Sequence, residues 1–330
     1  MNFPKSTLLA LLAFSVATVL PALTQSDTGA RWNGPRALLG LGVNHHANSA
    51  STAQAVPDAV AMGLASAKVY HFASADFPGA AFSIVFDENV TTGTILGDTQ
   101  FSSPFGFTLR GGLYQAFTVP GSVDNETTGI NSAGEIVGIY RAVGGDLHGF
   151  LDNAGTFTTL DISGPGTLTE PIDINDSGEI VGAYQDAANV SHGFYTLDSG
   201  VSFTVFDVPS ATSTLAAGVN SAGAISGVWT DSFSMTHGFL FSGGTFTSFD
   251  FPLAKSTTAI GINDSNEIAG YFVDAAGVNH GFIYSAGHFT RVDVAGAAGT
   301  QLSRIKNKGQ VTGIYMDTST SSESHGLTGR

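Results

Sequence analysis

One tripeptide recurs at a nearly constant interval along this chain, and that repeat limits the possible folds more than any other feature. His-Gly-Phe occurs at 148–150, 192–194, 237–239 and 280–282, with Phe-Gly-Phe at 105–107 and His-Gly-Leu at 325–327. The central glycines follow one another at intervals of 43 to 45 residues. Such a period predicts a fold assembled from stacked copies of one small unit.

Each unit repeats the same order of apolar runs and turns. In the second unit the runs cover 128–130, 136–140, 148–151 and 156–160, and Gly, Asn, Asp and Ser separate them. These features predict four short β-strands per unit. No apolar stripe of 3.6-residue period persists, which disfavours helices. Four strands in about 44 residues are typical of a β-propeller blade.

The second strand of each unit is apolar at nearly every position, which predicts that both of its faces are covered. A glycine recurs inside it, and a strand glycine indicates that another group approaches closely. We expect tight blade-to-blade contact at these glycines, which are Gly138, Gly182, Gly227, Gly270 and Gly313.

The two ends of the repeat region predict a closed ring. The last unit stops soon after its third strand begins, whereas residues 69–79 resemble a fourth strand and its exit. An N-terminal strand that completes the last blade would remove an exposed edge. Residues 68–330 divide into six units of about 44 residues. We therefore predict an all-β, six-bladed β-propeller, with five blades and a loose end as the alternative.

The first 67 residues have a different composition. Lys5 precedes an apolar stretch over 7–23, and Ala22-Leu23-Thr24 offers small residues for cleavage. This pattern predicts a signal peptide at 1–24 and a secreted or periplasmic protein. A membrane anchor is the alternative, which Pro21 and the short apolar core disfavour. Residues 25–67 are expected to form a mobile leader, with a short helix as an option at 57–62.

The repeated unit resembles the bacterial extracellular HAF repeat family. The resemblance rests on the INDSGEIVG-type run, on HGF and on the Asp-x-Pro-Gly exit, and it covers about 69–330. It implies an exported, propeller-like repeat protein, and it brings no established reaction and no catalytic residues. The first unit departs from the pattern with Phe105 in place of histidine, and the last departs with Lys306 in the asparagine position.

The charge of the chain and its motif content limit the classes of function that it can have. Twelve Lys and Arg against 27 Asp and Glu give a formal charge of −15, which disfavours nucleic acid and anionic membranes as partners. The absence of cysteine excludes disulfides and thiolate metal sites. The sequence contains no G-x-S-x-G, HExxH or phosphate-binding loop. We expect a monomeric binding or interaction module whose partner is an extracellular protein, a glycan or a cation.

Two other functions stay open. One is a glycan hydrolase or lyase with carboxylates at the propeller mouth, and the other is a purely structural surface protein. Convergence of a non-repeating glutamate with a rim aspartate in one pocket would favour catalysis. The non-repeating glutamates concerned are Glu88, Glu126 and Glu170.

An aspartate shortly after the second strand is the first candidate binding feature. The members of this predicted acidic rim are Asp98, Asp186, Asp231, Asp274 and Asp317. Carboxylates around one mouth would attract cations or a basic partner. In the alternative interpretation, which we favour, each aspartate caps its own turn.

Residues that interrupt the repeat are the second candidate set, because recurring residues are expected to build the blade. From this set, Arg141, Arg304 and Lys306 are the candidate binding residues. The repeated histidines are expected to make structural hydrogen bonds. The run from Asp173 to Gly178 imitates half of a calcium loop, although a hairpin turn explains it without metal. We therefore expect no cofactor, with calcium as the open alternative.

Overall fold

A computed structural model describes residues 51–54, 69–75, 83–100, 104–162, 167–317 and 324–329. These residues form antiparallel β-sheets, and each innermost strand contacts the innermost strands of the blades on either side. The last innermost strand contacts the first, so the six sheets close into a ring around a central channel. The six-bladed all-β propeller predicted from the repeat is confirmed.

Blades 1 to 5 contain four strands each, in sequence order from the channel outwards. Their strands are β3 (Ser83–Asn89), β4 (Thr94–Gln100), β5 (Pro104–Arg110) and β6 (Leu113–Phe117); β7 (Ser122–Ile130), β8 (Ile136–Ala142), β9 (Leu147–Asn153) and β10 (Thr156–Leu160); β11 (Leu168–Ile174), β12 (Ile180–Gln185), β13 (Ser191–Thr196) and β14 (Thr204–Phe206); β15 (Ser213–Val219), β16 (Ile225–Thr230), β17 (Thr236–Ser242) and β18 (Thr245–Phe249); and β19 (Ser256–Ile262), β20 (Ile268–Val273), β21 (Asn279–Ser285) and β22 (His288–Val292).

Blade 6 joins the two ends of the repeat region. Its strands, from the channel outwards, are β23 (Ala297–Ile305), β24 (Val311–Asp317), β25 (Ser324–Gly329), β2 (Val69–Ser74) and β1 (Ser51–Gln54). The predicted N-terminal closing strand is β2, which pairs with β25. The strand β1 lies within the predicted leader, whereas the predicted signal peptide and the short helix at 57–62 lie outside the described residues.

The phenylalanine of each His-Gly-Phe motif lies in the interface between two blades. Phe150 of blade 2 packs with Leu96 of blade 1, and Phe194 of blade 3 packs with Val137 and Leu151 of blade 2. These phenylalanines are at most 1% exposed. Burying a large apolar side chain at the same place in successive units explains the 44-residue period.

The second-strand glycines make a close contact, but within the blade. A side chain at Gly182 would meet the Glu170 carbonyl of β11 and the Phe194 ring of β13, both in blade 3. The predicted blade-to-blade contact is therefore wrong. Beside this glycine the register of β11 against β12 shifts between Pro171 and Asp173, which marks a β-bulge.

No helix in the described ranges has the length and hydropathy needed to cross a membrane.

Candidate functional site: the central channel

The channel has two ends, which we name by their connections. The turn face carries the turns between the first and second strands of each blade, such as 131–135 in blade 2. The loop face carries the loops between the second and third strands and the connections between blades. Inner strands run from the loop face to the turn face, so early residues of each inner strand lie nearest the loop face.

The bulges align the inner strands into layers. The upper layer, nearer the loop face, contains Ile84, Glu126, Glu170, Leu215, Thr258 and Gln301, each opposite the residue after the second-strand glycine. The middle layer contains Asp87, Gly129, Asp173, Gly218, Gly261 and Arg304. The asparagine ring follows at the turn face and contains Asn89, Asn131, Asn175, Asn220 and Asn263.

The asparagine ring links neighbouring blades. Each asparagine donates its side-chain N–H to a backbone carbonyl one blade further on; for example, Asn175 Nδ2 lies 2.9 Å from the Asn220 carbonyl oxygen. In blades 2 to 5 its side-chain oxygen also accepts N–H groups of its own turn. The five asparagines are 2 to 6% exposed. The repeated Asn is therefore a buried, fully bonded structural group.

Lys306 takes the asparagine position of blade 6 and closes this ring differently. Its Nζ lies 2.5 Å from Asp87 Oδ1 of blade 1. The Asp87 carboxylate is fully buried and also accepts the backbone N–H groups of Glu88 and Ile130. An ion pair thus joins the last blade to the first where the other junctions use an amide.

Arg304 spans the middle of the channel. Its guanidinium donates to the carbonyl groups of Ile172 at 2.7 Å and Thr128 at 3.3 Å, and it pairs with Asp173 at 3.4 Å. Burial raises the pKa of Asp173, and the charge of Arg304 opposes that shift. Glycine occupies the same layer in blades 2, 4 and 5, where a side chain at Gly261 would collide with the Arg304 backbone.

Arg304 lines two cavities, one towards each face, and so divides the channel. The turn-face cavity has a volume of about 260 Å³ and is ringed by the asparagines. The loop-face cavity has a volume of about 140 Å³ and is walled mainly by aliphatic and aromatic side chains. Two carboxyl groups, those of Glu126 and Glu170, line the loop-face cavity.

Glu170 has an unusual environment. The residue is 4% exposed, and no donor in the described ranges forms a hydrogen bond with its carboxyl group. Burial raises the pKa of this carboxyl to about 8. At neutral pH Glu170 is thus mainly protonated, and it presents a carboxyl group to the cavity.

The rim aspartates of blades 3, 4 and 5 cap their own loops. Asp186 Oδ1 accepts the backbone N–H groups of Ala188 and Val190, and Asp231 and Asp274 make the equivalent bonds. The bond from Val190 contributes most to holding the pKa of Asp186 below its ordinary value. These are the turn caps that the alternative interpretation predicts.

The repeated histidines connect these loops to the outer strands. His192 Nδ1 lies 2.8 Å from Asp207, and its Nε2 lies 3.6 Å from Asp186. Blades 4 and 5 repeat the arrangement around His237 and His280. Each histidine therefore lies between two carboxylates of its own blade, in agreement with the expected structural role.

The other predicted site residues occupy different places. Asp98 lies inside β4, opposite Ile84 and Gly106, and is 2% exposed. It follows its strand glycine by one residue, whereas Asp186 follows Gly182 by four, so Asp98 does not belong to the loop rim. Asp317 ends β24 in the expected register, and its side chain lies outside the described residues.

Arg141 lies at the end of β8. Its Nε is 3.3 Å from Asp124 Oδ2, and it donates to the Gly145 carbonyl oxygen. Arg141 therefore pairs within blade 2. Of the three candidate binding residues, Arg304 and Lys306 lie in the channel.

In the segment that imitates a calcium loop, side-chain oxygens accept backbone N–H groups of the turn itself and of the next blade. Asn175 Oδ1 accepts the N–H groups of Ser177 and Glu179, and Asp173 Oδ2 accepts the Val219 N–H. Gly178 has φ +80°, as the hairpin interpretation requires. Within the described part of the chain, no three His, Asp or Glu side chains form a group suited to a metal ion.

Sequence reasoning missed the pairing of the two glutamates with each other. It asked only whether a non-repeating glutamate meets a rim aspartate, whereas Glu126 and Glu170 line the same cavity and Glu88 lines the opposite one. A sequence signal was available, because Glu126 and Glu170 are 44 residues apart and so hold the same position in successive units.

Comparison with known proteins identifies the fold alone. No family model and no curated protein matches the chain. A gluconolactonase of Xanthomonas campestris is 8% identical with a TM-score of 0.50, over 87% of this chain and 98% of that one. TolB from Acinetobacter baumannii is 11% identical with a TM-score of 0.51, over 74% of this chain and 64% of that one. A six-bladed fungal lectin from Aleuria aurantia is 10% identical with a TM-score of 0.46, over 74% and 91%.

Proposed function

We propose that this protein is a binding module that takes a small organic ligand into the loop-face cavity of its channel. The observation that carries the proposal is Glu170, a buried carboxyl that lines the cavity without a hydrogen bond from the described residues. Burying a polar group without a partner is unfavourable. A ligand that bonds to this carboxyl would recover that free energy.

The surrounding walls support the same proposal. Ile172, Leu215 and Ile260 are among the aliphatic side chains of the cavity. Apolar walls with a few polar groups are the usual composition of small-molecule sites. By contrast, the polar groups of the asparagine ring already bond to one another.

We also propose that the module is exported and belongs with the HAF-type repeat proteins. The support is the N-terminal pattern of Lys5 and the apolar stretch, together with the repeated motif itself. Expression of the full chain in a bacterial host tests export. Recovery outside the cytoplasm of a product that lacks about the first 24 residues would support it, and an intact cytoplasmic product would contradict it.

Ligand-observed NMR with a mixed set of cationic, neutral and anionic fragments tests binding in the cavity. We expect at least one class to bind the wild type and to lose binding in Ile260→Trp, because the larger ring fills the cavity. Val143→Trp is the matched control, since Val143 is 81% exposed in a loop. If no fragment distinguishes Ile260→Trp from the control, the proposal is wrong.

A glycan hydrolase is the second candidate, and the raised pKa of Glu170 favours it. A glycosidase needs one carboxylic acid that stays protonated and a second carboxylate nearby. Glu170 and Glu126 would take these roles. We rank it second because a volume of about 140 Å³ leaves little room on both sides of a glycosidic bond. Release of nitrophenol from aryl glycosides by the wild type, but not by Glu170→Gln, would reverse this ranking.

A further inference from the structure

We infer that the ligand of the loop-face cavity is an organic monocation, a protonated amine attached to an apolar body about the size of benzene. The inference rests on the proposed function, because it names the ligand class of that same cavity.

The polar groups of the cavity are matched to a cation. Glu126 and Glu170 occupy the same layer on adjacent blades, and both line the cavity. The cationic group of the cavity, Arg304, already pairs with Asp173 and donates to three backbone carbonyls. Besides the Gln301 amide, which can donate or accept, the bonding capacity that remains for a ligand lies on the Glu170 carboxyl, which suits an ammonium group.

Size and wall chemistry define the rest of the ligand. An apolar protein cavity of about 150 Å³ holds benzene, so about 140 Å³ suits a body of that size. Phe86, Ile314 and Met316 contribute to the apolar wall. A small aromatic or branched aliphatic amine fits both requirements.

The charge around the entrance favours the same class. The whole chain has a formal charge of −15, and the capped carboxylates of Asp186, Asp231 and Asp274 lie in loops of the loop face. Their lowered pKa values keep them ionised at neutral pH. A negative potential around the mouth would raise the local concentration of a cation and repel an anion.

Few other charges influence Glu170. Asp124 and Arg141 pair with each other in blade 2, and His148 pairs with Asp161. The titratable and charged groups on the strands packed against β11, on β11 itself and in the cavity wall are Asp124, Glu126, Tyr140, Arg141, His148, Asp152, Asp173, Tyr184, Tyr271 and Arg304. The cause that raises the Glu170 pKa is burial.

Cation binding must then be linked to proton release. Below pH 8 the Glu170 carboxyl is mainly protonated, and an ammonium group that pairs with it favours the ionised form. Each bound cation would therefore displace one proton from Glu170. The apparent affinity should fall about tenfold for each pH unit below about 8. A neutral ligand that accepts a hydrogen bond from the protonated carboxyl would show no such dependence.

Isothermal titration calorimetry of the full chain tests the inference with three probes of one shape, namely benzylamine, benzyl alcohol and benzoate. We expect benzylamine to bind most tightly and to gain at least tenfold in affinity from pH 6 to pH 8, with release of one proton. Glu170→Gln should lose at least tenfold in benzylamine affinity at pH 8. Glu135→Gln, at the turn face, is the matched control and should bind as the wild type does.

The outcomes separate the two proposals. Equal or tighter binding of benzyl alcohol or benzoate, still blocked by Ile260→Trp, would overturn the cation inference and leave the binding function intact. Benzylamine binding that is independent of pH and unchanged in Glu170→Gln would also overturn it. If the Ile260→Trp comparison detects no fragment of any class, the binding function itself fails.

Discussion

The two ends of the channel differ in how strictly their residues repeat from blade to blade. At the turn face, five blades place the same residue, asparagine, in the same layer, and its hydrogen bonds run from blade to blade. At the loop face, the upper layer carries five different residue types on six blades. Repetition therefore marks the half that holds the ring together, and variation marks the half that contains Glu126 and Glu170. A repeat protein can change a site only where its blades do not depend on each other.

The largest expected effect tests the structural half. Asn220→Ala removes a side chain that donates to the Asn263 carbonyl and accepts from the N–H groups of Ala222 and Ala224. Leaving such buried groups unpaired should lower the free energy of unfolding by about 3 kcal/mol. Chemical denaturation measures the change.

The matched control for Asn220→Ala lies in the variable half. Gln301→Met keeps the volume of a side chain that lines the loop-face cavity. We expect its free energy of unfolding to stay within about 1 kcal/mol of the wild type. Similar losses in the two variants would remove the distinction between the two halves.

The next expected effect tests the junction between the last blade and the first. Lys306→Met deprives the buried Asp87 carboxylate of its cation but leaves two backbone donors in place. We expect the free energy of unfolding to fall by about 2 kcal/mol, less than for a fully buried pair, because Lys306 remains partly exposed. Thermal or chemical denaturation measures it.

Lys308→Met supplies the comparison for this junction, because Lys308 is an exposed lysine two residues away. Its effect should stay within about 0.5 kcal/mol. Asp87→Asn combined with Lys306→Met should regain part of the loss, since the pair then contains no buried charge. A double variant as unstable as Lys306→Met would show that the ion pair is not what joins the blades.

The sequence was sufficient to predict the blades, their number and their closure. One reason is that the same buried phenylalanine recurs in successive units, as at Phe194 and Phe239. A second reason is that β2 and the C-terminal strands each lack the partner that the other supplies. These features depend on local patterns and on counting, both of which a single sequence contains.

The positions of the site residues depend on strand register, which the sequence pattern does not reveal. The bulge between Pro171 and Asp173 shifts every later residue of β11 by one position, and no particular residue type in the sequence indicates the bulge. Asp98 was assigned to the rim by residue type, although its distance from Gly97 differs from that of its supposed equivalents. Charges that meet across the channel, such as Arg304 and Asp173, are far apart in sequence and carry no local signal.

The smallest expected effect concerns the pH dependence of stability in the variable half. Burial raises the Glu170 pKa to about 8, above its ordinary value near 4.5, so the folded protein holds a proton that the unfolded chain releases between these values. The contribution of Glu170 to the free energy of unfolding is therefore fully present below about pH 4.5 and is lost as the pH rises towards 8, at about 1.4 kcal/mol per pH unit. Glu170→Gln should remove this slope and should be the more stable protein at pH 8. Chemical denaturation of both proteins between pH 6 and pH 8 measures the difference in their free energies of unfolding. The titrations of Asp186 and the other rim aspartates are the same in both proteins and cancel in this difference. Parallel stability profiles would mean that Glu170 is ionised and paired in the folded state, and the upper layer would then be as fully bonded as the asparagine ring.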